Sequence, residues 1–180
     1  MQIVRSAFYA VCSPYLKGIQ GHLDAHTRDD SMTHTFLLQE GVWIARGHYF
    51  DDMERILPLE GMVRITHLED LWLNEGQTEI KMGENKVNIH RRYEIIPFEE
   101  GRSQTIWESV NPDLGIMRGE SIIVADSIIS ACRSEKGEYT GAEFHIKVSD
   151  VHYKNRGILL KGNDKLSSWS VDLRKSSQDE

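Results

Sequence analysis

The chain has 180 residues, enough for one domain with a packed core and a lumen, and too few for two full domains. Its formal net charge is -7 and no basic run exceeds the pair Arg91-Arg92, so no nucleic-acid partner is expected, because binding to phosphate backbones draws on a basic surface. No apolar run approaches the roughly 18 residues of a membrane span, and the apolar core after Arg5 is about six residues, short of the roughly 7–15 of a signal peptide. No membrane partner is expected, the cytoplasm is the default location, and Cys12 and Cys132, far apart and without a partner motif, read as free thiols.

Residues 1–31 differ in period from the rest. Ile3, Ala7, Phe8 and Val11 fall at helical spacing, Pro14 interrupts, and Tyr15, Leu16, Ile19 and Leu23 resume an apolar stripe, which predicts a short N-terminal helical segment ending in the polar stretch Asp24 to Ser31. From Phe36 onward the period is two. Val63, Ile65 and His67 share a strand face; Val87, Ile89, Arg91, Tyr93 and Ile95 share another; Thr105, Trp107 and Ser109 share a third. Turn residues punctuate these runs at Pro58 to Gly61, Gly83-Glu84-Asn85, Pro97 to Gly101 and Asn111 to Gly115. Later strands are predicted at Ser121 to Ala125, Ile128 to Arg133, Thr140 to Val148, Arg156 to Lys161 and Leu166 to Arg174. The segment Asp150 to Gly157, dense in hydrogen-bonding side chains, reads as a loop and strand edge.

So many sequential strands expose edges unless the sheet closes. The expected fold is all-β: an antiparallel up-and-down barrel of about ten strands over 32–175, with a disordered tail at 176–180. A cupin-type jelly roll is the rival topology, but the His-x-His cluster of cupins is missing.

Gly41-Val42-Trp43 opens the alternating stretch Gly41 to Asp51. A glycine two residues before a tryptophan, at the start of the first strand of an all-β chain, resembles the opening of the calycin barrels: lipocalins, fatty-acid-binding proteins and nitrobindins. The resemblance implies a barrel that holds a small molecule. It also implies that Trp43 plugs the closed end and that a basic residue near the last strand packs on its indole, a position filled here by Arg174. Gly41, Trp43 and Arg174 are accordingly expected to be structural. Nitrobindins hold haem through a histidine on the C-terminal strand, where this chain carries Ser168, Trp169 and Ser170. No cofactor is therefore expected, with His145 and His152 as fallback haem ligands.

If Trp43 points inward, so do Ala45, Gly47 and Tyr49. Several polar groups then share the interior with apolar ones, which is the general form of a small-molecule site. The expected lining residues are Tyr49, His67, Arg91, Tyr93 and Trp107. An inward Arg91 favours a mainly apolar ligand with a polar or anionic group, but a shift of one residue puts Arg92 in its place. His22 and His26, or His48, His67 and His90, offer no complete ligand set, so no metal site is expected. A second reading is a barrel enzyme of isomerase or lyase type, with His67 and Glu75 as an acid/base couple and Arg91 stabilising developing charge; Glu75-Gly76 is equally well explained as a turn. A third is a filled structural barrel without a ligand. A second copy, forming a homodimer, is the protein partner left open.

Overall fold

Alternation of period two carries through ten strands: β1 (Gly41–Phe50), β2 (Ile56–His67), β3 (Trp72–Met82), β4 (Asn85–Ile95), β5 (Gln104–Asn111), β6 (Gly115–Val124), β7 (Ser127–Ser134), β8 (Tyr139–Ser149), β9 (His152–Lys161) and β10 (Asp164–Lys175). The structure, a computed structural model, describes residues 33–177. Each strand runs antiparallel to its sequence neighbours, and β1 pairs with both β2 and β10, so the meander closes into a barrel. This is the up-and-down topology that the turn spacing predicts. The helical segment expected at 1–31 lies outside the described residues. Of the tail, Ser176 still donates its backbone N–H to Val42 O at 2.7 Å.

Two-residue turns join several hairpins, with Gly83 (φ 65°) after β3 and Gly162 (φ 61°) after β9. The left-handed conformation in a tight turn matches the twist of the strands it joins, and glycine adopts it without steric cost. The loop expected at Asp150 to Gly157 is instead mostly strand. β9 begins at His152 and buries Tyr153 and Asn155, because its polar side chains face partners inside the barrel rather than water.

One end of the barrel is plugged by residues 33–39. Phe36 stands edge-on to Trp43, with ring centroids 5.4 Å apart, and lies over Tyr153 at 5.7 Å. Trp43 and Tyr153 meet edge to face at 5.5 Å, and both are fully buried. Hydrogen bonds tie the plug to the surrounding turns: Thr35 Oγ1 donates to Asp150 O at 2.6 Å, the Thr35 N–H to Tyr153 Oη at 2.9 Å, and His34 Nε2 lies 3.1 Å from Ala125 O. The Trp43–Arg174 pair expected from the sequence does not form. Arg174 sits opposite Ile44 in the β1–β10 register, exposed on the outer face, while Trp43 points inward onto Phe36 and Tyr153. The basic residue lies one step out of phase with the indole.

Two other tryptophans each lie across a glycine of the neighbouring strand. Trp107 covers Gly119 and Trp169 covers Gly157, so closely that a Cβ at either glycine would overlap the indole. The missing side chains let large rings lie flat against the wall. A G157A substitution is therefore expected to lower stability by about 1–3 kcal/mol through overpacking. G76A, where no atom comes nearer than 4.0 Å to the added carbon, is expected to leave stability almost unchanged; urea unfolding followed by tryptophan fluorescence distinguishes the two.

Candidate functional site

The inward face of β4 carries Val87, Ile89, Arg91, Tyr93 and Ile95, with Ile95 buried beside the plugged end. Register decides between the two arginines. Arg91 lies opposite Gly76, and its Nη2 stands 3.3 Å from Thr78 Oγ1 as donor. Arg92 faces outward, 3.2 Å from Glu94 and 3.9 Å from Glu75. Tyr93 meets Trp107 edge to face at 4.9 Å, and Trp107 donates its indole N–H to Ser130 Oγ at 2.9 Å.

Across the lumen, β8 presents Gly141, Glu143 and His145 inward. Glu143 Oε1 accepts hydrogen bonds from Asn155 Nδ2 at 3.0 Å and Trp169 Nε1 at 3.1 Å; the same indole N–H also reaches Asn155 Oδ1 at 2.8 Å. Glu143 Oε2 lies 3.9 Å from His145 Nε2 and has no hydrogen-bond donor among the described residues. One carboxylate oxygen is thus held in place while the other keeps accepting capacity.

The charges on these walls act on one another without closing into an ion pair among the described residues. Burial works against the Arg91 charge, but Tyr93, Glu143 and Tyr49 outweigh it, so the guanidinium holds its proton more firmly than usual. Burial, reinforced by Glu143 and opposed by Arg91, raises the Tyr93 phenol, which stays a neutral donor. Burial and then Glu143 push the Cys132 thiol up to about 11, leaving it unreactive as a nucleophile near neutral pH. Tyr49, Arg91, Tyr93, Cys132 and Trp169 all face inward yet remain partly exposed, and the Glu143 side chain keeps 25 % of its surface accessible.

The wall is also interrupted beside this constellation. β4 and β5 pair only at Glu94 with Glu108 and Ile95 with Trp107, so most of β4, including Arg91, has no ladder partner on that side. The turns at the end away from the plug frame a groove of about 660 Å³ lined by Asp52, Glu138, Lys161, Asp164 and Lys165 among others.

Of the residues predicted to line the site, Tyr49, Arg91, Tyr93 and Trp107 all face the lumen. His67 does not join them. Its ring stacks on Trp72 at 4.0 Å and its Nε2 lies 2.9 Å from Leu37 O, which makes it part of the plug. The His67–Glu75 couple is likewise absent, because Glu75 is on the outer face of β3 opposite Arg64 and near Arg92. His48 and His90 are exposed, and His152 is bonded to Asp172 at 2.8 Å. Sequence reasoning named His145 only as a fallback haem ligand and missed Glu143, Asn155 and Trp169 as residues that face the lumen. The signal was present in β8, where Gly141, Glu143 and His145 alternate with Ala142, Phe144 and Ile146. The polarity there is inverted, apolar residues facing out, so a rule that places apolar faces inside points the wrong way.

Fold and side-chain directions together define a ten-stranded up-and-down barrel with a charged and aromatic constellation facing its interior. No family model matches the chain, and no curated protein matches it. Among solved structures it is similar to the S-type phycobiliprotein lyase CpeS from Guillardia theta, at a TM-score of 0.56 and 8% identity, over 79% of this chain and 90% of that one. A dehydratase from the difficidin assembly line matches over 79% of this chain and 80% of its own at 10% identity, with a TM-score of 0.25. The first likeness shows a shared fold.

Burial holds His145 below the ordinary histidine range, with Glu143 opposing and Arg91 and His34 reinforcing the shift; its Nδ1 is buried without a protein partner. His34 is also lowered, by burial first. Both imidazoles are therefore neutral in the folded state, whereas the unfolded chain protonates them near 6.5. The unfolded state then binds more protons, and stability falls as pH drops through about 6.5 toward the lower folded values. Asp172, whose carboxyl is lowered chiefly by its bond to His152, contributes only below about 3.8, outside that window. The urea midpoint is expected to fall between about pH 7.5 and about pH 5.5, and H145Q is expected to flatten that dependence.

Proposed function

We propose that this chain is a calycin-type barrel that binds a small, mainly apolar molecule carrying an anionic group. The observation that carries this reading is the pair of walls around the hollow: Arg91 and Tyr93 on β4 face Glu143 on β8, close enough to influence each other and too far apart to neutralise each other by contact. A carboxylate or sulfonate on the ligand would take charge-assisted bonds from Arg91. Tyr49, Trp107, Trp169, Ile89 and Val63 offer apolar surface for the remainder, and Glu143 Oε2 would accept from a donor on the ligand. The partly exposed inward residues argue against the filled barrel.

The lyase reading keeps a narrower footing. The neighbour of the same fold is named as a phycobiliprotein lyase, and the His67–Glu75 couple has no geometric support here. Glu143, His145 and Tyr93 are the acid–base groups that stand in this lumen instead. Incubating a co-purified molecule, identified by native mass spectrometry, with the emptied barrel separates the readings: an unchanged absorption spectrum supports a binder and a changed one an enzyme.

Anilinonaphthalene sulfonate, which is apolar and anionic, is a direct probe. Its fluorescence titration should show saturable binding to the wild-type chain. R91M is expected to weaken that affinity by about 10- to 100-fold, the effect of losing a hydrogen bond between charged groups. R92M, on the outer face, is expected to leave it within about 2-fold. Equal effects of the two substitutions would refute the assignment of Arg91 to the site.

A further inference from the structure

Arg91 and Glu143 carry the charge of the interior between its two ends. Lys147 and Lys175 are taken up at the plugged end, by Asp150 at 2.8 Å and Gln39 at 3.4 Å, and Lys161 lies over the Tyr139 ring beside the far turns. Among the described residues, the inward positions between those ends hold one guanidinium, on β4, and one carboxylate, on β8. Both keep unused capacity. Arg91 donates to Thr78 Oγ1 and to Tyr93, which occupies only part of its fork of N–H groups. Glu143 Oε1 accepts from Asn155 and from the Trp169 indole, both neutral donors that orient the carboxylate without neutralising it, and Oε2 accepts from no described residue. His145 brings no charge to it, because burial keeps the imidazole neutral and its Nε2 stays 3.9 Å away.

A ligand that is anionic and nothing more satisfies half of this arrangement. Its acid group pairs with Arg91 and so takes up the cation whose field offsets Glu143, while its apolar body displaces water from around the carboxylate. A carboxylate stripped of both water and counter-charge opposes binding strongly. A protonated nitrogen on the same ligand removes that opposition by donating to Oε2, the oxygen still open to it. We propose, on the reading that this interior holds an anionic ligand, that the ligand is amphoteric: an apolar molecule with an acid group for Arg91 and an ammonium group for Glu143. A further neutral donor would not serve, because Oε1 already has two and the charge itself stays uncompensated. The two groups cannot serve each other, since β4 and β8 stand apart in the strand order and no ion pair closes between them, although Glu143 is felt at Arg91. An amphoteric ligand completes both at once.

Fluorescence titration of the full chain with probes that share one dye tests this. α-Dansyl-lysine and ε-dansyl-lysine carry both charges at different spacings, α-dansyl-norleucine carries the acid alone, and dansylcadaverine carries the ammonium alone. The better dansyl-lysine isomer is expected to bind about 10- to 100-fold tighter than either singly charged probe. E143Q keeps an acceptor for Asn155 and Trp169 and loses the charge, so in it the advantage over α-dansyl-norleucine is expected to vanish while α-dansyl-norleucine itself binds at least as well as before. R91M is expected to erase the advantage over dansylcadaverine. Wild-type protein that binds α-dansyl-norleucine as tightly as both dansyl-lysines, with R91M weakening all of them, overturns the inference and leaves the anionic reading standing. That comparison needs no variant at Glu143, so it decides even where E143Q does not fold. A dansyl-lysine advantage that survives in folded E143Q overturns the inference as well. Probes that do not bind saturably, or that bind R91M and wild type alike, refute the anionic reading and the inference with it.

Discussion

Closure of the backbone ladder through β1 is the constraint on which everything else depends. Because β1 is bonded to β2 on one side and β10 on the other, every strand has one face turned toward a common interior, and the period of two assigns each residue to that interior or to the outside. Interior volume then becomes a matter of side-chain size. At one end Phe36, Trp43, Ile65 and Tyr153 fill it completely. Farther along, glycines replace bulk: Gly119 makes room for Trp107 and Gly157 for Trp169.

Side-chain partners on each wall explain how charged groups persist inside. A buried polar group without partners costs on the order of 1–3 kcal/mol, and more for a charge. Here Glu143 is held by Asn155 and Trp169, and Arg91 by Thr78 and the neighbouring phenol. Each charge is supported by its own wall. Arg91 and Glu143 therefore stand on separate walls, apart from the end that Phe36, Trp43, Ile65 and Tyr153 fill.

Much of the fold was legible because hydrogen-bonded strands impose a short period on the chain. The change of period near Phe36, the glycine-bearing turns and the inward parity from Trp43 to Tyr49 all follow from local geometry, and so does the sharing of one face by Val87, Ile89, Arg91, Tyr93 and Ile95. Reading failed where polarity and direction part company. β9 looked like a loop because Asn155 and Tyr153 are polar, and β8 hid Glu143 because its apolar face looks outward. His67 shares a face with Val63 and Ile65, but the bond to Leu37 O and the stacking on Trp72 make it part of the plug, and only the chain path of residues 33–39 reveals that.

By itself the sequence determined the all-β class, the meander of about ten strands and the presence of an arginine and two tyrosines on inward faces, since alternation and turn chemistry are properties of neighbouring residues. Tertiary structure alone decided that Arg91 rather than Arg92 enters the lumen, that Glu143 faces it, and that Trp43 packs on Phe36 and Tyr153 instead of on Arg174. Those outcomes turn on register between strands far apart in the chain. A shift of one residue exchanges inside for outside, and no local pattern encodes it.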